Sequence, residues 1–199
     1  MRLQINITDQ LTPHLRNFNV AVTDRVPMMQ KLGEDLAKAL REHFRKRDSR
    51  PNSKGWPKRH FWNKEGRENT ALTQYNATSA TVTIASAAIA HKLKGGTVRP
   101  KRARALAIPA IAAAYKAIQP SAMDNPERLA YVPLNRGNLV AMLAERRKNR
   151  RARPRVWFWI VKQATHRADP KTLPPQADVE RQIQASAQQY LDRIAARGA

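Results

Sequence analysis

Six cations, Lys92, Lys94, Arg99, Lys101, Arg102 and Arg104, crowd the stretch His91–Pro109, HKLKGGTVRPKRARALAIP. Ammonium and guanidinium groups at that density hold phosphates or carboxylates by charge-assisted hydrogen bonds, without bond making. A second cluster, Glu145–Arg155 (ERRKNRRARPR), carries Arg146, Arg147, Lys148, Arg150, Arg151 and Arg153, with Arg155 closing it. It reads as a loop or a polyanion-binding finger. A third set interleaves Trp56, Phe61 and Trp62 with Lys54, Lys58, Arg59 and Lys64. Rings among cations stack on bases, anchor a protein contact, or plug the edge of their own core. Trp157 and Trp159 lie in an apolar run and are candidates for a subunit or partner interface.

Catalytic patterns are not found. The chain has no GxGxxG, P-loop, HExxH or GxSxG. Its five histidines, His14, His43, His60, His91 and His166, lack metal-ligand spacing. The 15 carboxylates mostly face basic residues on helices; Glu34/Asp35 and Glu65/Glu68 read as solvated surface charge. The expectation is a protein that is not an enzyme and uses no metal or cofactor.

The 199 residues carry a net charge of +22 with 42% apolar residues and only 6% aromatic. That is long enough to bury a core as one domain, 1–199. The charge calls for a polyanionic neighbour: nucleic acid, an acidic protein surface or an anionic membrane; a solvated basic surface without a partner is the alternative. With no cysteine, disulfides and thiolate metal sites are excluded. No run approaches a transmembrane helix, and MRLQINITDQ alternates rather than forming an apolar block. A soluble protein made in the cytosol, without membrane contact, is expected.

The elements that position these groups follow from periodicity. Leu3–Ile7 alternates as a short strand, and Leu11–Val22 is ambiguous. Thr23 or Asp24 caps a helix reaching about Lys46, with Met29, Leu32, Leu36, Leu40 and Phe44 on one stripe. A long polar connection occupies 48–70. Strands are expected at Leu72–Ala77 and Ala80–Ala85, then a short helix Ala85–Leu93 stopped by Gly95-Gly96. Thr97-Val98 and Leu106–Ile108 suit strands joined by a solvent-facing loop, Arg99–Arg104. Ala110–Ile118 reads as a short helix. Leu129–Val132 and Leu139–Leu143 form a hairpin around Asn135–Asn138, with helix an alternative for its second half. Val156–Val161 is apolar on both faces, as in a strand covered on both sides, one side by a second subunit. A final helix begins near Gln176–Val179, its stripe Val179, Ile183, Ala187, Leu191 and Ile194.

In that order, the helix ending Leu40-Arg41-Glu42-His43-Phe44, the Gly55-Trp56-Pro57 turn, and His91…Gly95-Gly96-Thr97-Val98-Arg99-Pro100-Lys101…Leu106-Ala107-Ile108-Pro109 resemble the phage virion morphogenesis family. These are the tail completion proteins of Mu-like and related long-tailed phages. There a His, Gly-Gly-Thr, Arg-Pro and a Leu-x-Ile-Pro strand recur together. The resemblance spans roughly Val26 to Ile194. Ala110–Met123 reads as an insertion against that pattern and Arg146–Arg155 is unusually basic, so family roles are not carried onto either.

The resemblance implies an α+β fold: a small antiparallel sheet, the long amphipathic helix packed on one face, a C-terminal helix and long basic loops. It implies a homo-oligomeric, hexameric ring in the virion neck, formed in the host cytoplasm during assembly. That ring completes the tail end and joins it to the head. Its partners would be head–tail connector proteins and tail tube or tail terminator proteins. The basic loops would face packaged DNA or acidic protein surfaces, and charge alone does not choose. The competing expectation is a sequence-nonspecific nucleic-acid-binding protein.

Overall fold

The computed structural model describes residues 19, 23–52, 54–117, 119–146 and 154–197; the strand expected at Leu3–Ile7 lies outside them. The fold is α+β, with a long helix early in the chain, small antiparallel sheets and a C-terminal helix. The chain divides into two compact units. One comprises Met1–Asp48, Phe61–Ile89 and Lys171–Ala199, the other Ser49–His60 and Ala90–Pro170. The long 48–70 connection is thus shared between them.

In the first unit, helix α1 (Val26–Ser49) starts where Asp24 Oδ1 accepts the Val26 N–H at 3.2 Å. This satisfies one of the orphan amides of the first turn. Its buried stripe is Gly33, Ala37, Leu40, Phe44 and Asp48. The expected leucine stripe is therefore rotated: Met29, Leu32 and Leu36 are half-buried, and small residues make the closest approach. A Cβ on Gly33 would lie 2.5 Å from Leu72 Cδ1 and 3.1 Å from Ala80 Cβ. The helix rests on the hairpin of β1 (Thr70–Tyr75) and β2 (Ala80–Ile84), which pair antiparallel.

Phe44, fully buried, stacks on Trp62 with ring centroids 6.3 Å apart. Trp62 begins a π-helical turn, Trp62–Arg67, that structures the second part of the expected loop. Buried Asp48 accepts the Trp62 N–H at 3.3 Å. Arg41 donates from Nη2 and Nε to the Thr70 carbonyl, at 2.7 and 3.0 Å. The C-terminal helix, α4 (Gln176–Arg197), contributes a half-buried apolar stripe and buried Ser186.

Helix α2 (Ala87–Lys94) leads into the second unit. Gly95 (φ 71°) stops it, and its N–H donates to the His91 carbonyl at 2.8 Å. β3 (Gly96–Val98) then pairs with β8 (Ala164–His166). A four-stranded antiparallel sheet runs in the order β4 (Leu106–Pro109), β7 (Val156–Val161), β6 (Leu139–Glu145), β5 (Leu129–Arg136). α3 (Ala112–Ala117) follows β4 directly. The hairpin β5–β6 is strand throughout, turning at Asn135 (φ 47°) and Gly137 (φ 57°). β7 lies inside the sheet, between β4 and β6, and its neighbouring residues differ in burial. Phe158 is fully buried while Trp159, pointing the other way, is exposed.

Candidate polyanion and partner interface

The two units carry very different charge. The second holds 22 Lys and Arg against 4 acids, a net of +18; the first holds 15 against 11, a net of +4. The excess is therefore concentrated in the second unit. No acid occurs between Glu68 and Asp124, between Glu127 and Glu145, or between Glu145 and Asp169. These gaps contain β3 to β8 apart from Glu145, the last residue of β6. Three ion pairs, Lys31–Asp35, Arg45–Glu42 and Arg181–Asp178, lie in the first unit.

The loop from Arg99 to Arg104 joins strands of two different sheets, so both of its ends are held by backbone ladders. Arg99 Nε donates to Gln163 Oε1 at 3.2 Å, and Gln163 is fixed in turn by Asn138 through two hydrogen bonds of 2.9 and 3.0 Å. Lys101, Arg102 and Arg104 are exposed and, among the described residues, in no ion pair. Lys94 is exposed at the end of α2. Lys92 is half-buried, its carbonyl accepting the Asp169 N–H at 2.9 Å. Arg146 is exposed directly after β6, its N–H donating to the Arg128 carbonyl at 2.8 Å. Arg147, Lys148, Arg150, Arg151 and Arg153 lie outside the described residues.

The aromatic candidates separate into two groups. Phe61 and Trp62 belong to the first unit, where Phe61 meets Trp62 edge-on at 5.1 Å and the Arg47 guanidinium lies 4.0 Å from the Trp62 ring centre. Trp62 thereby seals the unit's own core. Trp56 belongs to the second unit and leans on Tyr115 of α3, centroids 5.1 Å apart. Lys54 lies 4.6 Å from the Trp56 ring centre and Arg59 3.8 Å from that of Tyr115. The rings of this cation–ring stack thus already have partners within the chain. Trp157 is half-buried with Arg155 5.5 Å from its ring centre. Trp159 is the one tryptophan of these that stands exposed.

One pairing is invisible in the sequence. His91 meets His166 edge-on, centroids 5.6 Å apart at 90°, and lies 3.3 Å from where a Gly96 Cβ would be. Partial desolvation of His166, which is otherwise exposed, with Lys92 and His91 nearby, lowers its imidazole pKa below the ordinary value. A Cβ on Gly95 would come within 2.6 Å of the Ala168 nitrogen. The His…Gly-Gly-Thr sequence is thus a packing device at the β3–β8 pair, where Thr97 and Thr165 hydroxyls also meet at 3.1 Å.

In the first unit a groove of about 520 Å³ between α1 and α4 is lined by both signs of charge. Burial there opposes ionisation of Asp35, but hydrogen bonds from Lys31 and Ser186 outweigh it and hold the carboxyl below its ordinary pKa. A second cleft, of about 390 Å³, lies in the second unit beside α3 and Trp157 and likewise mixes Lys116 and Arg128 with Asp124 and Glu145. Among the described residues no group of three or more His, Cys, Asp or Glu is placed to hold a metal ion. No described helix is long and apolar enough to cross a membrane. The arrangement is suited to docking a negatively charged surface on one highly basic unit. No family model matches this chain, and neither a curated protein nor a solved structure matches it.

Proposed function

We propose that this chain is a structural virion protein of a long-tailed phage, of the tail completion kind, which finishes the tail end and joins it to the head. Its work is contact, not catalysis. The observation that carries the reading is the concentration of +18 on one unit, joined to the ordered motif His91…Gly95-Gly96-Thr97…Arg99-Pro100…Leu106-Ala107-Ile108-Pro109. A neck protein must meet neighbours on several sides. The outer strands β4 and β5 offer backbone edges for neighbouring copies in a hexameric ring, and the basic loops offer charge to connector, tail tube or tail terminator proteins, or to packaged DNA. The protein would work in the virion neck after assembly in the host cytoplasm.

Electron microscopy of tails from a phage strain lacking the chain tests this. Tails of normal length with an unfinished end that fail to join DNA-filled heads are expected. Intact infectious particles would overturn the proposal. The net charge favours the second reading, a sequence-nonspecific nucleic-acid-binding protein. A monomer that binds duplex DNA tightly at low salt, from a strain with normal particles, would establish that reading instead.

A further inference from the structure

We infer that the open face of the four-stranded sheet docks on an acidic protein surface with an apolar centre. This rests on the reading of the chain as a contact protein and names the class of its partner. Ile108, Trp159, Met142 and Val132 stand directly opposite one another across all four strands, an unbroken apolar row. Neighbouring strands lie about 4.8 Å apart, so the row spans roughly 14 Å. Ile108 is 37% and Trp159 36% exposed, while Phe158, on the opposite face of β7, is fully buried. At β4 and β7 the row therefore lies on the more open side of the sheet, while its β6 and β5 members, Met142 and Val132, are half-buried.

Charge decides what covers it. Towards one end of the sheet, beyond register shifts in β5 and β6, Leu106, Val161 and Leu139 align with Arg136. Arg136, Lys162 and Arg104 are exposed at that end of the sheet, and the acid within its four strands, Glu145, is at the far end of β6. A tryptophan and aliphatic centre bordered by arginines is the composition of an interface whose anchors are Trp and Arg. A second copy would bring the same cations against these and repel. Duplex DNA satisfies the cations but offers only scattered thymine methyl groups, recessed in its major groove, to cover the row. An acidic protein surface with apolar side chains at its centre satisfies both.

The full chain is titrated with two helical peptides of equal length and charge. Both carry glutamates; one has a stripe of Leu and Phe, and in the other serine replaces each of these. Short duplex DNA is the third probe. The striped peptide is expected to bind about tenfold tighter than the serine peptide. Trp159→Ser and Ile108→Ser should each shrink that preference and leave DNA affinity unchanged. Equal binding of the two peptides by the unaltered protein overturns the inference, whether or not the variants fold. Loss of DNA affinity in folded Trp159→Ser equal to the loss of peptide affinity also overturns it, and assigns the face to nucleic acid. The peptide result is independent of tail joining: a strain with normal particles would remove the phage reading and leave a measured preference standing.

Discussion

A Cβ placed on Gly66 would fall 2.6 Å from the ring of Phe44, the side chain that α1 buries completely. The π-helical turn can pass over the ring only because position 66 has no side chain. Gly66→Ala is therefore expected to destabilise the protein by about 2 kcal/mol through overpacking. Phe44→Ala should cost about 4 kcal/mol through the cavity it leaves. The double variant is the sharper measurement, because a methyl group at position 66 can enter the space vacated by the Phe44 ring. Its loss should be smaller than the sum of the two, in chemical denaturation. Strict additivity would show that the two positions do not touch.

Phe158 and Trp159 are adjacent on β7 and should respond oppositely to truncation. Phe158 is fully buried and Trp159 is not. Phe158→Ala is expected to cost about 4 kcal/mol. Trp159→Ser should stay within about 1 kcal/mol, as befits a side chain that leaves no closed cavity. Comparable losses in thermal unfolding would mean that both faces of the sheet are covered within the chain.

How far the sequence reveals this depends on whether the information is local. The period of Leu40 and Phe44 marks α1, alternation marks β2, and the Asn135–Asn138 turn marks the β5–β6 hairpin. Gly33 and Ala37 escape, because a hydrophobic pattern counts large side chains while the closest helix–hairpin approach selects small ones. Non-local pairings are also hidden. Nothing near Gly96 announces that His166 lies opposite it, so the His91–His166 contact is not legible. The concentration of charge on one unit is a sum over the sequence, yet it emerges only once the chain's crossings near Asp48, His60, Ile89 and Pro170 are known. For the candidate site, Arg99–Arg104 is the exposed loop its composition implies. The Phe61–Trp62 pair shows the opposite: a partner-like composition whose rings pack on their own core.

The β3–β8 pair should loosen on acidification. Partial desolvation, then Lys92 and His91, lower the pKa of the otherwise exposed His166 below its ordinary value of 6.5, so the folded state favours neutral imidazole. A group depressed in this way contributes stability that is fully present above 6.5. That contribution is lost as pH falls through the lower folded-state value. Hydrogen exchange at the Thr97 and Val98 amides, on the strand facing β8, should accelerate relative to β6 as pH is lowered from 7 to 5, after correction for intrinsic rates (roughly the window of histidine titration). His166→Asn should flatten that relative change. An unchanged pH response in the variant would exclude His166 as its source.

Neutralising the loop tests whether its charge has a structural role. Lys101, Arg102 and Arg104 are exposed and in no ion pair among the described residues, so replacing all three with serine should leave the unfolding midpoint unchanged. Binding to duplex DNA, serving as a non-specific polyanion, should weaken. Each phosphate no longer neutralised removes about 0.9 from the slope of log K against log salt, so releasing three phosphates flattens it by about 2.7. Trp159→Ser, which changes no charge, should leave that slope where it was. A triple variant that unfolds early would show that the loop's cations are bonded into the fold. One that binds DNA with the original slope would place the phosphate contacts on cations outside this loop.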